Sequence, residues 1–251
     1  MRASISLISS YGMNKNQQNR VKLAAIIELL HTATLVHDDI IDNSDLRRGK
    51  TTVNVAWSNS HGVLIGDFIY SKAFMLMNEI GNFKVIDELS SATNKIAEGE
   101  LMQLANKNNL NTSLQQLKKI SYYKTGRLFE ASAKSAAMLS GKSIPFIENI
   151  SKAAKLIGIA FQVRDDLLDY GVSKGNIGKP EMQDILEDKI TYPLYFALKY
   201  SNKKDSSKIL KKLKNKDFSI EEVADFVSSS NAFNKCNSLI QNYSNEISKC
   251  I

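Results

Sequence analysis

The stretch His37-Asp38-Asp39-Ile40-Ile41-Asp42 lies at the end of a long helical run and just before Asp45-Leu46-Arg47-Arg48-Gly49-Lys50. Side chains three and four apart share a helix face, so Asp38 and Asp42 can point the same way with Asp39 alongside. A cluster of this kind repels itself unless a cation sits on it. Every ligand it offers is oxygen and none is thiolate, which suits a hard ion. Magnesium keeps several waters and binds through one or two carboxylates plus substrate phosphates, so the expected ligand is Mg²⁺ carrying a phosphate ester.

One such cluster is weak, because acidic pairs near a helix end are usually a solvated face. A second copy stands in Phe161-Gln162-Val163-Arg164-Asp165-Asp166-Leu167-Leu168-Asp169, with the same spacing and again late in an apolar helical run. Two copies, both embedded in apolar sequence, favour a shared site over two solvated faces.

Outward from these clusters, the chain reads as all-α. It has 251 residues, of which 43% are apolar, enough for a substantial core. Only three prolines occur and no Pro/Gly/Ser-rich linker divides the sequence, so one domain over residues 1 to 251 is expected. Apolar residues recur at helical spacing, without an alternating strand series. Helices are expected over about 3–11, 17–42, 61–80, 84–106 and 113–140, from near Pro145 to the second cluster, and after Lys189-Ile190-Thr191-Tyr192-Pro193. Tyr11-Gly12-Met13-Asn14 reads as the first stop, and Gly171 to Pro180 as a polar loop.

Composition excludes several classes. Cys236 and Cys250 are the only cysteines, which gives no disulfide framework and no zinc site. No apolar run approaches the roughly 18 residues of a membrane span, and no signal-peptide pattern opens the chain; a cytoplasmic protein is expected. The net charge of +7 would suit nucleic acid, an anionic membrane or a phosphorylated substrate. Much of the excess is lysine around 203–215, whose simplest reading is a solvated helix face, although peripheral membrane contact is compatible with it. Charge alone does not support nucleic-acid binding.

The constellation resembles the trans-isoprenyl diphosphate synthases, of the polyprenyl synthetase type. His31 through Lys50 matches that family's first aspartate-rich motif and its Arg-Arg-Gly tail. Leu64-Ile65-Gly66-Asp67, Lys124-Thr125, Phe161 through Asp169, Gly178-Lys179-Pro180 and Lys189 through Leu194 recur in the family's order and approximate spacing. The resemblance covers about residues 2 to 200. It implies an isoprenoid synthase fold of antiparallel helices around a deep central cavity, usually in a homodimer. It also implies the reaction: an allylic diphosphate ionises, isopentenyl diphosphate attacks, and proton loss leaves a chain longer by one five-carbon unit. Such chemistry agrees with the clusters, since Mg²⁺ and fixed cations stabilise the charge of a leaving diphosphate.

Carried over by position, the resemblance implies that Asp38, Asp39, Asp42 and Asp165 serve the metal, with Asp166 and Asp169 nearby. It places Arg47, Lys124, Lys179 and Lys189 on the allylic diphosphate, and Arg2, His31 and Arg48 on isopentenyl diphosphate. Thr125 and Gln162 would lie beside the carbocation, stabilising it as dipoles, with Lys124 completing the catalytic set. The departing proton goes to the diphosphate, so no protein base is assigned.

Departures accompany these matches. The family has an upstream Gly-Gly-Lys-x-x-Arg motif, and if Arg2 is its last arginine, the lysine falls just before Met1. The expected reason is a start codon assigned too far downstream, with a shortened protein as the competing one. Met182 and Asp188 stand where relatives usually have glycine, and Thr51 where proline is common.

Product length is read on the stripe before Asp38. One helical turn rises about 5.4 Å, on the order of one isoprene unit. Short-chain members place an aromatic residue four or five positions before the first aspartate; here those positions are Thr34 and Ala33. Neither would plug the cavity, so a chain should pass Leu30 and Ile27, giving about six to eight units, as a quinone side chain needs. Phe74 or Met75 is the alternative floor. Competing readings are a non-catalytic subunit of a heteromeric synthase, a shorter-chain farnesyl or geranylgeranyl synthase and a terpene cyclase. A metal phosphohydrolase would need more ligands than His31, His37 and His61 offer.

Overall fold

The computed structural model describes residues 1–11, 17–171 and 182–250. Thirteen α-helices account for most of the described residues, in keeping with the all-α expectation. Helix α1 (Arg2–Ser9) packs beside α2 (Gln17–Ile41), which buries Leu23, Ile26, Ile27, Leu30 and Ala33. This face repeats at three and four residues, as a core-facing helix requires. Helix α2 ends at the first aspartates because Asn43 turns left-handed (φ 48°), and Ser44 donates back to the Asp39 carbonyl at 2.9 Å.

A two-stranded hairpin follows, β1 (Leu46–Arg47) against β2 (Lys50–Thr51), with Arg47 opposite Lys50. Its loop is Arg48-Gly49, both at positive φ (53° and 74°), the requirement of a two-residue primed turn. No strand was legible here, because two residues are too few to show an alternating pattern. Short α3 (Val53–Ala56) leads to α4 (Asn59–Ile80), capped by Ser58 and closed by left-handed Gly81. Helix α4 crosses α2 closely at its glycines: a methyl group on Gly66 would stand 2.1 Å from His37 Nε2, and one on Gly62 would stand 2.6 Å from Ile40 Cδ1.

Helix α5 (Phe83–Ala105) starts at Asn82, whose side chain accepts from the Lys84 and Val85 amides. The expected helix over 113–140 is interrupted. A capping box of Ser113 and Gln116 opens α6 (Leu114–Ser121), a π-helical turn covers Tyr122–Gly126, and α7 (Arg127–Leu139) continues. Three glycines allow this. A Cβ on Gly99 of α5 would approach Lys124 N to 2.7 Å, and one on Gly158 would approach Gly126 Cα to 2.5 Å. Backbones therefore meet on both sides of the turn, and its extra residue re-aims the side chains it carries.

Helix α8 (Ile144–Asp169), with Pro145 in its first turn, carries the second aspartate cluster. Short α9 (Gln183–Leu186) precedes α10 (Tyr192–Tyr200), α11 (Lys203–Asn215), α12 (Ile220–Ser229) and α13 (Ala232–Ser248). Two cores result. One gathers Ile26, Ile27, Leu30, Met77, Leu89 and Leu128 between α2, α4, α5 and α7. The other gathers Val163, Leu167, Tyr192, Leu194, Val223 and Cys236 around the end of α8 and the C-terminal helices. Each fully buried leucine, isoleucine or valine contributes roughly 1.5–3 kcal/mol. The expected Gly12 stop and the loop from Gly171 to Pro180 fall mostly outside the described residues.

Candidate active site

A cleft is lined by Gln103, Lys124, Gln162, Asp166, Asp184 and Lys189, beside Leu117 and Tyr192 of the C-terminal core. From α2, Asp42 accepts from Lys189 Nζ at 3.1 Å, and Glu187 pairs with the same ammonium. Burial would lower Lys189, but Asp42 and its carboxylate neighbours outweigh it and hold the ammonium above its ordinary value. Burial would raise Asp42, but Lys189 and Lys124 hold it low. Asp38 differs: burial pushes its carboxyl up to about 6, and Glu100 and Asp42 add to the rise against the pull of Lys124. This partly desolvated carboxylate, short of positive charge, is a position that a cation would satisfy.

Asp39 is buried and turned to the hairpin, where Arg47 Nε and Nη2 both reach its Oδ1 at 2.6 Å. Lys124, carried by the π-helical turn, donates to Glu100 and Gln103 at 2.8 Å each. Next to it, Thr125 Oγ1 donates to Gln162 Oε1 at 2.7 Å, and Gln162 Nε2 donates to Asp166 at 2.9 Å. The Tyr192 amide completes the chain, donating to Asp166 Oδ2 at 3.1 Å. Burial, reinforced by Asp184, pushes Asp166 well above the ordinary carboxylate range despite those two donors.

The second cluster therefore divides its labour. Asp165 is exposed, Asp166 orients Gln162, and Asp169 receives the Gln183 and Asp184 amides at 3.1 and 3.3 Å, anchoring α9. At the other rim Arg2 Nη1 lies 2.8 Å from His31 Nε2, and its guanidinium covers the Phe129 ring at 4.7 Å. Burial, then Arg2 and Arg48, drive His31 down to about 3, and burial lowers Arg2 to about 10. Arg48 itself is exposed. Lys179 lies outside the described residues.

Glu100, Gln103 and Asp184 are the site residues that sequence reasoning missed. Glu100 and Gln103 sit on one face of α5, three apart, and Glu98-Gly99-Glu100 was the available signal. Among the described residues, no three histidine, cysteine or carboxylate side chains gather tightly enough to hold a metal ion by themselves. Shared coordination with phosphate oxygens and water is the mode expected of such an open carboxylate set.

Along α2, Ala33 is fully buried and the Thr34 hydroxyl donates to the His31 carbonyl at 2.7 Å. Ile27 and Leu30 pack in one cluster with Ala73 and Met77 of α4, whereas Phe74 and Met75 are 44% and 56% exposed. Ala73, Met77 and Ile80 are thus the buried α4 side chains that share a cluster with this stripe.

Two aspartate-bearing helices brought to one cleft that also holds Lys124 and Lys189, in an all-helical frame, define a protein of the isoprenoid synthase fold. The chain belongs to the polyprenyl synthetase family, whose model matches residues 1–229. It is 39% identical over 209 residues to octaprenyl diphosphate synthase of Escherichia coli (strain K12), covering 83% of this chain and 65% of that relative. It is 38% identical over 238 residues to an all-trans-nonaprenyl-diphosphate synthase (geranyl-diphosphate specific) of Rhodobacter capsulatus, covering 94% and 73%. Among solved structures, a decaprenyl diphosphate synthase from Rhodobacter capsulatus superposes with a TM-score of 0.92 at 30% identity, covering 99% of this chain and 78% of that one. A polyprenyl synthase from Caulobacter crescentus CB15, complexed with calcium and isoprenyl diphosphate, gives 0.93 at 31% identity, covering 99% and 77%. No helix among the described residues is long and apolar enough to cross a membrane.

Proposed function

We propose that this chain is a Mg²⁺-dependent prenyltransferase that condenses an allylic diphosphate with isopentenyl diphosphate into a medium- or long-chain all-trans polyprenyl diphosphate, of the kind that supplies a quinone side chain. The supporting observation is a cleft lined by Lys124, Gln162 and Lys189, with Asp42 bonded to Lys189, Thr125 bonded to Gln162 and Asp38 in the field of Lys124. The octaprenyl and nonaprenyl names of the relatives support the length class. Under this reading residues 1–251 act as one cytoplasmic domain, without a nucleic-acid partner.

Asp38, Asp42 and Asp165 would hold Mg²⁺, with Asp39 keeping Arg47 in place. The ion supplies neutralisation of the diphosphate's charge. Each of three diphosphate-binding cations is pre-positioned by a carboxylate: Arg47 by Asp39, Lys124 by Glu100 and Lys189 by Asp42. Such preorganised charge costs little reorganisation when the C–O bond breaks. Gln162 and Thr125 present fixed dipoles to the allylic cation without a strong nucleophile. Arg2, His31 and Arg48 bind the isopentenyl diphosphate, and the proton lost after attack passes to the released diphosphate. The growing chain runs past Ala33 and Thr34 toward Leu30 and Ile27.

Purified protein incubated with Mg²⁺, farnesyl diphosphate and labelled isopentenyl diphosphate should give a product ladder ending near six to eight units. Asp38→Ala should lower the rate by at least about 100-fold, the scale for removing one preorganised electrostatic group. Absence of elongation by the unaltered chain would sink this reading.

A further inference from the structure

Behind Lys189 lies a second cavity that the catalytic reading does not use. Its volume is about 260 Å³, against about 50 Å³ for the cleft described above. Six apolar side chains line it: Leu110, Ile185, Ile190, Leu194, Leu213 and Phe218. At about 30 Å³ per water-sized group, it has room for about nine such groups. Lys189 and Ile190 line both cavities, so one short segment separates them.

The rim is strained and basic. The lining residues Asn108 and Asp188 adopt left-handed backbone (φ 63° and 61°) without being glycine, as does Lys216 (φ 57°), which closes α11 beside them. They are tied together: the Asn108 amide donates to the Asp188 carbonyl at 3.1 Å, and the Lys216 ammonium pairs with the Asp188 carboxylate. Non-glycine residues persist in such conformations only where their surroundings over-determine them, and they cluster at ligand clamps. Residues 203–216 hold seven lysines against one aspartate. Lys214 from this run lines the cavity and forms no ion pair among the described residues.

We propose that this cavity is a second ligand site, taking an amphiphilic anion whose short apolar body fills the pocket while its carboxylate or phosphate head meets Lys214. Occupancy reaches the cleft through Lys189, whose Nζ holds Asp42. This coupling rests on the prenyltransferase reading; the binding itself does not.

The protein has one tryptophan, Trp57, so Phe218→Trp places a new fluorophore in the cavity. Octyl phosphate, octanoate and 1-octanol are the probes. Both anions should shift the emission of Phe218→Trp with a dissociation constant on the order of 0.1 mM, and 1-octanol should bind at least about tenfold more weakly. If only octyl phosphate binds, the head is a phosphate; if both bind alike, any compact anion serves. Lys214→Ala in the same background should weaken the anions about fivefold and leave 1-octanol unchanged. In the elongation assay octanoate should alter kcat/KM for the allylic diphosphate, because Lys189 is one of the cations placed on it, and Leu110→Trp, which fills the cavity, should abolish that effect. No emission change at millimolar probe, equal binding of 1-octanol, or a kinetic effect that survives Leu110→Trp would overturn the site. If the unaltered chain shows no elongation, the emission titration still decides the binding, so failure of the catalytic reading is separable.

Discussion

His31 shows how one contact sets a protonation state. Because Arg2 is a donor only, its guanidinium can meet Nε2 only if that nitrogen is an acceptor, which places the imidazole proton on Nδ1. A second proton would sit among Arg2, Arg47 and Arg48, and burial already disfavours it, hence the fall to about 3. The unfolded chain, with a histidine near 6.5, binds more protons between pH 6.5 and 3. His31 therefore contributes stability above pH 6.5 that is lost as pH falls toward 3. One proton limits the slope to about 1.4 kcal/mol per pH unit, and solvent around the partly exposed ring keeps it below that limit. Denaturant melts from pH 7 to pH 4 should show His31→Gln losing stability less steeply than the unaltered chain. Asp166 is the other decisive residue. Replacement by alanine orphans the Gln162 amide and the Tyr192 N–H, at about 1–3 kcal/mol for each buried group left unpaired. Asp166→Asn keeps one acceptor and should lose less, and both variants should reduce kcat because Gln162 is no longer oriented. Urea titrations beside steady-state rates would check the order.

At the scale of elements, the π-helical turn is what the cleft depends on. It exists because Gly99, Gly126 and Gly158 let α5, the turn and α8 meet backbone to backbone. Gly158→Ala would press a methyl group to 2.5 Å from Gly126 Cα, a backbone atom that cannot swing aside. Overpacking of this kind costs roughly 1–3 kcal/mol. Displacement of Lys124 and Thr125 should also lower kcat by about tenfold or more, since a small misplacement of reacting geometry is costly. Melting temperature and kcat measured together would test this: unchanged kcat in a folded variant would mean that the turn tolerates the shift. The loop around Met182 and Asp188 shows a related strain. Both stand where the resembled family usually has glycine, and both are left-handed (φ 62° and 61°). Buried packing of Met182 and the Asp188–Lys216 pair stand in for the missing conformational freedom.

At the scale of the molecule, α4 exposes an apolar stripe of Leu64, Phe68 and Met75, 67%, 61% and 56% exposed, beside half-exposed Val63. Exposed apolar side chains grouped on one helix favour association, so this face is the one predicted to pair if the chain forms a homodimer. Light scattering of the purified chain should give a dimer. Phe68→Glu should give a monomer of unchanged helicity, because Phe68 makes no part of either core. A dimer that persists in Phe68→Glu would place the interface elsewhere.

What the sequence by itself determined were the features that repeat at helical spacing or sit in order along the chain. The all-α class follows from apolar periodicity, both aspartate clusters were visible as residue types at fixed intervals, and the Arg47-Arg48-Gly49 tail and Lys124-Thr125 were visible through the family resemblance. Only tertiary structure decided how these share the work. Asp38 and Asp39 are neighbours in sequence, yet one faces Lys124 and the other binds Arg47, because successive helical residues lie about 100° apart. Asp184 carries no local signature, and Glu98-Gly99-Glu100 does not by itself show that Glu100 reaches Lys124, since what makes both part of the site is proximity to residues far away in the chain. The π-helical turn was equally hidden: its cause is the approach of three glycines from separate segments, and such steric contacts exist only once the helices have packed.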